Sequence, residues 1–390
     1  MFEFQVWRAA VLVGALAASG GAFASTKHLA PIPTATLALM ESKGVSAASP
    51  ILMRAYKKEG EIEVWKKGDD GRFVRLKTFP ICRWSGQLGP KTVQGDRQVP
   101  EGFYAVTPAQ LNPNSSYHLS FDIGYPNAYD RLYGGSGAFL MVHGACSSSG
   151  CFAMTNIGVS EIYAIVREAF AAGQAAFQFQ SFPFRMTAEN LAKHRSDQHI
   201  AFWRQLKEGS DRFEATGEEP VVGVASGRYA FAPSADPAKE SLVKARRARE
   251  DAAVAALSRK KPAVTVTYLD GGMHKSFQAQ MKRGTLRDVS QPQALAEAGR
   301  EVVVGGTPEQ PAKLADAKAT DAKPSEAKAA DTKTADGKAA AKRGAAKAAA
   351  VPTNAPAPTP ERPFYQRVLD AFSPTPASAG PAPASAGGRT

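Results

Sequence analysis

Phe139-Leu140-Met141-Val142-His143-Gly144-Ala145-Cys146-Ser147-Ser148-Ser149-Gly150-Cys151-Phe152-Ala153-Met154-Thr155-Asn156 carries the chemistry of this 390-residue chain. An apolar strand delivers a histidine, and a Gly/Ser-rich loop then delivers a cysteine shortly before a helix. A thiol attacks a carbonyl as its thiolate, and a neighbouring histidine supplies the base that makes one. Gly150 lets another backbone come close, and amides in the Ser148-Ser149-Gly150-Cys151 loop are candidate donors to an oxyanion. The four small residues from Ser147 to Gly150 leave room for a substrate. Zinc is the rival chemistry. It needs three or four ligands, and only His143, Cys146 and Cys151 cluster here.

Outward from this stretch the chain reads as short strands and turns. Ile51 to Tyr56, Ile62 to Trp65 and Phe73 to Leu76 are strand-like, separated by Lys-Lys-Glu-Gly and Gly-Asp-Asp-Gly turns, which is the pattern of a meander. Residues 80–142 are rich in Gly, Pro, Asn and Tyr and predict short strands with ordered loops. Ser160 to Phe170 predicts a helix with Ser160 as N-cap and Gly173 beyond its end. Ala176 to Gln180 alternates as a strand, Thr187 opens a helical region, and Val221 to Phe231 reads as a closing strand pair. Residues 233–309 form an extension of mixed character. Ala238 to Arg259 is helical and basic, Ala263 to Tyr268 is strand-like, and nothing local says whether the block packs on the rest.

The two ends differ from this core. Residues 1–24 carry Arg8, an apolar run from Ala9 to Ala18, and Ala22-Phe23-Ala24, the pattern of an export signal cleaved after Ala24. A periplasmic location is expected. Residues 310–351 repeat every five, with Lys318, Lys323, Lys328, Lys333 and Lys338 each two residues after an acid. That period fits no helical seam, and little beyond alanine is available to bury, so 310–390 predicts a disordered Ala/Lys/Pro-rich tail. Within it, residues 362–372 place Phe364, Val368, Leu369 and Phe372 on one helical face, a candidate docking segment. The net charge is +12, of which residues 25–232 supply only +3, from 22 basic and 19 acidic side chains. The basic excess therefore lies outside the core, where it favours an anionic surface such as membrane or cell wall. No nucleic-acid-binding signature is present.

Three cysteines, Cys82, Cys146 and Cys151, leave at least one thiol unpaired within the chain. Cys82 is expected to be a small buried hydrophobe, and a Cys146–Cys151 disulfide is conceivable in an oxidising compartment. Cys146 is the competing nucleophile, but it lacks the preceding glycine that Cys151 has.

His143-Gly144 followed by Ser148-Ser149-Gly150-Cys151 resembles the active-site motif of the YkuD-type L,D-transpeptidase family, and most closely its YafK-like branch. The resemblance continues through 85–91, 95–104, 112–121, 124–130 and 182–187, and covers about residues 48–230. It implies a catalytic domain over 48–232, mainly β with a few helices. It implies Cys151 as nucleophile and His143 as proton donor and acceptor, acting on peptidoglycan stem peptides without metal or organic cofactor, in cell-wall biogenesis and cell shape. Arg185, Tyr104, Tyr129 and Lys91 are candidates to line the substrate cleft, Arg185 as a fork for a carboxylate. His118 is expected to be a hydrogen-bonded or pocket-lining residue rather than a second base. The main family often has a histidine immediately before Gly-Cys, where this chain has Ser149. Three activities stay open: crosslinking of stem peptides, hydrolysis of links between the wall and an outer-membrane protein, and wall binding without chemistry. The oligomeric state is not legible.

Overall fold

The computed structural model describes residues 26–304, apart from 287, 297 and 298. The expected export signal and tail, with its 362–372 segment, lie outside the described residues. A 3₁₀ turn and helix α1 (Thr34–Ser42) lead into three strands, β1 (Ile51–Tyr56), β2 (Glu61–Lys67) and β3 (Phe73–Pro80). Strand β4 (Gly102–Val106) follows a long ordered loop, then β5 (Leu111–Asn112), β6 (Ser120–Asp122), α2 (Ala128–Leu132), β7 (Met141–His143) and β8 (Phe152–Ala153). Helix α3 (Asn156–Ala171), β9 (Phe177–Phe182), α4 (Ala188–Lys193), α5 (Ile200–Thr216), β10 (Val222–Ala225) and β11 (Arg228–Phe231) come next. The chain continues through α6 (Pro237–Lys260), β12 (Val264–Thr267), α7 (Lys275–Lys282), α8 (Pro292–Leu295) and β13 (Arg300–Val303).

The larger sheet has the order β3-β2-β1-β9-β4. Its first three strands are the expected antiparallel meander, with Met53 opposite Val64 and Glu63 opposite Thr78. Strand β9 then runs parallel to β1, with Met53 opposite Phe179. Every residue of β1 and of β9 is buried. Burial on both faces is why these strands read as nearly continuous apolar runs and not as clean alternation. On one side Leu52, Phe73 and Phe213 form a satellite cluster beneath α5. The main core joins this sheet to α3, to α5 through Phe202, Trp203 and Leu206, and to the smaller sheet, of order β5-β6-β7-β8.

Helix α3 begins four residues before the expected Ser160. Thr155 is its N-cap, its hydroxyl accepting the Gly158 amide at 3.0 Å. The Ser160 hydroxyl lies 2.8 Å from His118 Nε2 instead.

The core extends past both expected boundaries. Before residue 48, Ile32, Met40 and Val45 are buried in it. After residue 232, the extension packs against it. Ion pairs Lys207–Glu250 (3.0 Å), Arg246–Asp211 (3.1 Å) and Arg212–Glu240 (2.9 Å) tie α6 to α5. Tyr268 sits edge-on to Trp84 with ring centroids 4.8 Å apart. The Gly272 and Trp84 backbones exchange hydrogen bonds of 2.9 and 3.0 Å. Close approach explains Gly60 as well. A Cβ there would meet the His274 backbone nitrogen at 2.5 Å, and its φ of +67° favours glycine. No described helix is long and apolar enough to cross a membrane.

Candidate active site

Strand β7 pairs in parallel with β8, with Val142 opposite Phe152 and His143 opposite Ala153. Carried one step back, this register sets Cys151 beside Met141, two positions from His143 on the same strand. Positions two apart share a sheet face. The thiol confirms its own placement at β7, because the Met141 amide donates to Cys151 Sγ at 3.4 Å. A longer contact of 3.7 Å runs from the thiol to the Phe139 carbonyl.

The imidazole of His143 is buried, and its Nδ1 lies 2.6 Å from the Gly144 carbonyl. A carbonyl only accepts, so Nδ1 carries the proton and Nε2 is the available base in the neutral ring. The Tyr117 ring lies against the imidazole, with centroids 4.7 Å apart. Gly144 has no room for a side chain. A Cβ there would meet Asn156 Oδ1 at 2.5 Å and the Tyr117 carbonyl at 2.9 Å. Burial holds the His143 imidazolium below the ordinary histidine range, against the opposing effect of the Gly144 carbonyl. Burial also pushes the Cys151 thiol up, reinforced by Asp122 and opposed by the Met141 amide and by Lys91. Both groups are therefore uncharged at neutral pH.

The cysteine question resolves differently from expectation. Cys82 and Cys146 form a disulfide, 64 residues apart in sequence, and Cys151 is free. Cys82 is fully buried as expected, but as a disulfide partner. The bond removes Cys146 as a rival nucleophile and as a zinc ligand. Among the described residues no group of three or more His, Cys, Asp or Glu is placed to hold a metal.

The nucleophile loop is tightly bonded. The Gly150 amide donates to Ser85 Oγ at 2.6 Å, and the Cys151 amide donates to Ser148 Oγ at 3.2 Å. These two amides, expected as oxyanion donors, are thus engaged by hydroxyls within the protein. Ser148 Oγ also lies 2.7 Å from the Cys151 carbonyl and 2.9 Å from Ser85 Oγ. Gly150 has φ of +121°, which permits this close fold-back.

The candidate cleft residues have other surroundings. Both ends of the Arg185 fork are filled, by Glu63 at 2.9 Å and by Glu61, and its guanidinium lies over the Tyr56 ring. The fork expected to hold a carboxylate is thus engaged by carboxylates of the protein itself. Tyr104 is buried in β4 and donates to the Glu101 carbonyl at 3.0 Å. It lines a cavity of about 670 Å³, shared with Phe103, Asn127 and Tyr229, that does not include Cys151. Tyr129 stacks on Tyr229 and Phe202 with centroids 4.5 and 5.3 Å apart, a packing role. His118 is hydrogen-bonded to Ser160, and burial lowers its pKa. Lys91 bonds Asp96 and the Val93 carbonyl, yet its charge still reaches the thiol.

Ser85, Arg97 and Ser290 reach the loop, with Asp270 behind Arg97; Ser85 and Arg97 lie in the 85–91 and 95–104 segments without being singled out there, and Asp270 and Ser290 carry no motif. Arg97 Nη1 donates to Ser149 Oγ at 2.7 Å and Nη2 to the Ser148 carbonyl at 3.1 Å. The Ser148 amide donates to Ser290 Oγ at 3.1 Å.

No family model matches the chain. Two curated relatives, from Escherichia coli K12 and O157:H7, are each 44% identical over 189 residues, which is 48% of this chain and 76% of the relative. Both bear the name "Putative L,D-transpeptidase YafK". Solved structures with some likeness include the helical cell shape determining protein Pgp2 from Campylobacter jejuni, with TM-score 0.28 and 15% identity over 60% of this chain and 80% of that one. Bd1075 from Bdellovibrio bacteriovorus has TM-score 0.24 and 12% identity over 57% and 76%. These overlaps are too loose to bear on the fold or the chemistry.

Proposed function

Since the chain belongs to the YafK-like L,D-transpeptidase family, we propose that it is a cysteine acyltransferase acting on peptidoglycan stem peptides in the periplasm. The observation that carries this reading is the chain's one free thiol held on β7 by the Met141 amide, two positions along that strand from a histidine whose Nδ1 is committed to a carbonyl. That commitment leaves Nε2 as a base on the strand that the thiol touches.

His143 Nε2 takes the thiol proton as Cys151 Sγ attacks the carbonyl of the L-centre of diaminopimelate in a stem tetrapeptide. The C–N bond to the terminal D-alanine breaks, and His143 returns the proton to the departing amine. The resulting thioester is attacked by an incoming amine, which loses its proton to His143, and Cys151 leaves as the thiol. Because burial keeps both groups neutral at rest, the thiolate forms only as attack begins. Diaminopimelate of a second stem is the proposed acceptor, giving a 3–3 crosslink.

Mass spectrometry of muropeptides tests this. The protein from Ser25 is incubated with diaminopimelate tetrapeptides and with protein-linked sacculi, beside Cys151→Ala. New 3–3 dimers or D-amino-acid exchange, lost in Cys151→Ala, are expected. Free tripeptide or released protein with a trimmed stem would replace the amine by water as acceptor. No Cys151-dependent product would overturn the enzyme reading in favour of wall binding.

A further inference from the structure

Ser148, three residues before the nucleophile, is gripped through both of its backbone polar groups. Its carbonyl accepts from Arg97 Nη2 at 3.1 Å, and its amide donates to Ser290 Oγ at 3.1 Å. The two grips are joined behind the loop. Arg97 Nη2 meets Asp270 Oδ2 at 2.6 Å, and Arg83 Nη2 meets the same oxygen at 2.8 Å. Arg83 Nε then donates to the Ser290 carbonyl at 3.1 Å. The bonds close a ring: Ser148, Arg97, Asp270, Arg83, Ser290 and back to Ser148.

Two features make this ring more than surface decoration. Arg83 is fully buried and Asp270 is nearly so. Removing Asp270 would leave buried Arg83 without its counter-charge, a costly outcome. The ring also reaches Ser149, whose hydroxyl accepts from Arg97 Nη1 at 2.7 Å, so Arg97 holds two successive residues of the nucleophile loop.

We infer that Arg97, anchored by Asp270, is a positioning residue for the Cys151 thiol, and that Asp270 and Ser290 thereby complete the active site from the C-terminal extension. The inference rests on Cys151 being the nucleophile. Arg97 acts through the loop; it is not assigned contact with substrate.

The test uses the protein from Ser25 with its disulfide intact, and the variants Arg97→Gln, Arg97→Lys, Ser149→Ala and Ser290→Ala. Two quantities are read, with melting temperature as a fold control. The first is kcat and KM on a diaminopimelate tetrapeptide. The second is alkylation of Cys151 by iodoacetamide at pH 8, which needs no peptide and reports one thiol, since the other two are bonded. In Arg97→Gln, kcat is expected to fall about 100-fold with KM little changed, the size expected for a displaced reacting group. Alkylation is expected to slow about tenfold as the thiol loses the Met141 amide that favours its ionised form. Arg97→Lys should not rescue either, because an ammonium opposite Asp270 has no fork for Ser148 and Ser149. Ser149→Ala and Ser290→Ala leave the Arg97–Asp270 pair intact and decide the matter should Arg97→Gln not fold; each should slow alkylation by about threefold or more, the weight of one lost hydrogen bond. Folded variants with kcat and alkylation within twofold of the parent would overturn the inference, as would rescue by Arg97→Lys. A parent without peptide turnover, combined with slowed alkylation in the variants, would sink the transpeptidase reading and leave the positioning role standing.

Discussion

The two sheets are built on different principles. The larger one has strands of five to eight residues, and its central β1 and β9 are buried along their whole length. The smaller one has strands of two or three residues, too short for a ladder to fix their place. Its loops are fixed instead by individual bonds: Ser85 on Gly150, Ser290 on Ser148, Arg97 on Ser149, and the Cys82–Cys146 disulfide. Apolar burial is nondirectional and stabilises in proportion to area. Hydrogen bonds stabilise little net but hold a direction. The larger sheet therefore supplies stability and the smaller one supplies position, and truncations in the two should have opposite signatures.

The sharpest form of that contrast is Cys151→Ala against Phe179→Ala. Cys151 is half-buried and makes only long sulfur contacts. Its loss should lower turnover at least about 10³-fold, as expected for removal of a nucleophile, while the melting temperature stays within about 2 °C. His143→Gln should lower turnover on a similar scale. Phe179 is fully buried in β9 and packs on Phe152 of β8 with centroids 5.5 Å apart. Its truncation should cost about 3–5 kcal/mol of stability, read by urea denaturation. Residual turnover per folded molecule should persist. If Phe179→Ala abolished turnover in fully folded protein, the division of labour between the sheets would fail.

The disulfide is the intermediate case, because it is a stabilising element located in the positioning region. It joins the end of the meander to the loop that follows His143-Gly144, where Ala145 and Cys146 both have positive φ, +68° and +46°. Such backbone is disfavoured for residues with a Cβ and persists only where the surroundings enforce it. The double variant Cys82→Ala/Cys146→Ala should unfold about 2–4 kcal/mol more easily, the usual weight of a disulfide closing a long loop. At 25 °C, its turnover should fall by much less than that of Cys151→Ala. A double variant as stable as the parent would mean that burial, not the bond, holds this loop.

Where the sequence was legible, the signal was local. The meander turns, the 139–156 run, the α5 and α6 helices and the β10–β11 pair all carry their own caps, breaks or alternation. The N-cap of α3 is Thr155 and not Ser160, five residues on; the two are chemically equivalent N-caps, and only the Asn156 bond to the Ala145 amide at 3.0 Å anchors the helix start beside the His143 loop. The disulfide was illegible for a similar reason, since three thiols do not declare their pairing. The ring around Ser148 was invisible because its members are separated by 142 residues (Ser148 and Ser290) and by 187 (Arg83 and Asp270). Basic and acidic residues at such distances leave no pattern. The Gly144 carbonyl that orients His143 is a backbone atom, which no residue type identifies. Two of the cleft candidates show the opposite difficulty. Tyrosines and an arginine near a motif are also what a packed core uses, and Tyr129 and Arg185 are used that way.

The junction between framework and extension has the smallest expected effect near neutral pH, and it grows with acid. His194 is fully buried between Phe184, at 4.8 Å between centroids, and the β12 backbone, its Nδ1 3.2 Å from the Val264 carbonyl. Burial first, then the positive charge of Lys58, push its pKa down to about 4, against the Val264 carbonyl; Lys193 adds to the shift and Glu301 opposes it. In the unfolded chain the imidazole titrates near 6.5. Between those values the unfolded chain binds the proton and the folded one does not, so stability is full at pH 7 and falls as pH drops from about 6.5 toward 4. Linkage puts the loss from pH 7 to 5.5 at about 1 kcal/mol, rising to about 3 kcal/mol by pH 4. His143, also depressed by burial, adds a slope of the same sign. Urea denaturation of the parent, His194→Gln and His143→Gln at pH 7, 5.5 and 4 separates the two. His194→Gln should flatten most of the slope without changing turnover at pH 7. Should His143→Gln flatten it instead, the acid-sensitive point would lie in the positioning sheet, and the junction with the extension would be as robust as the framework itself.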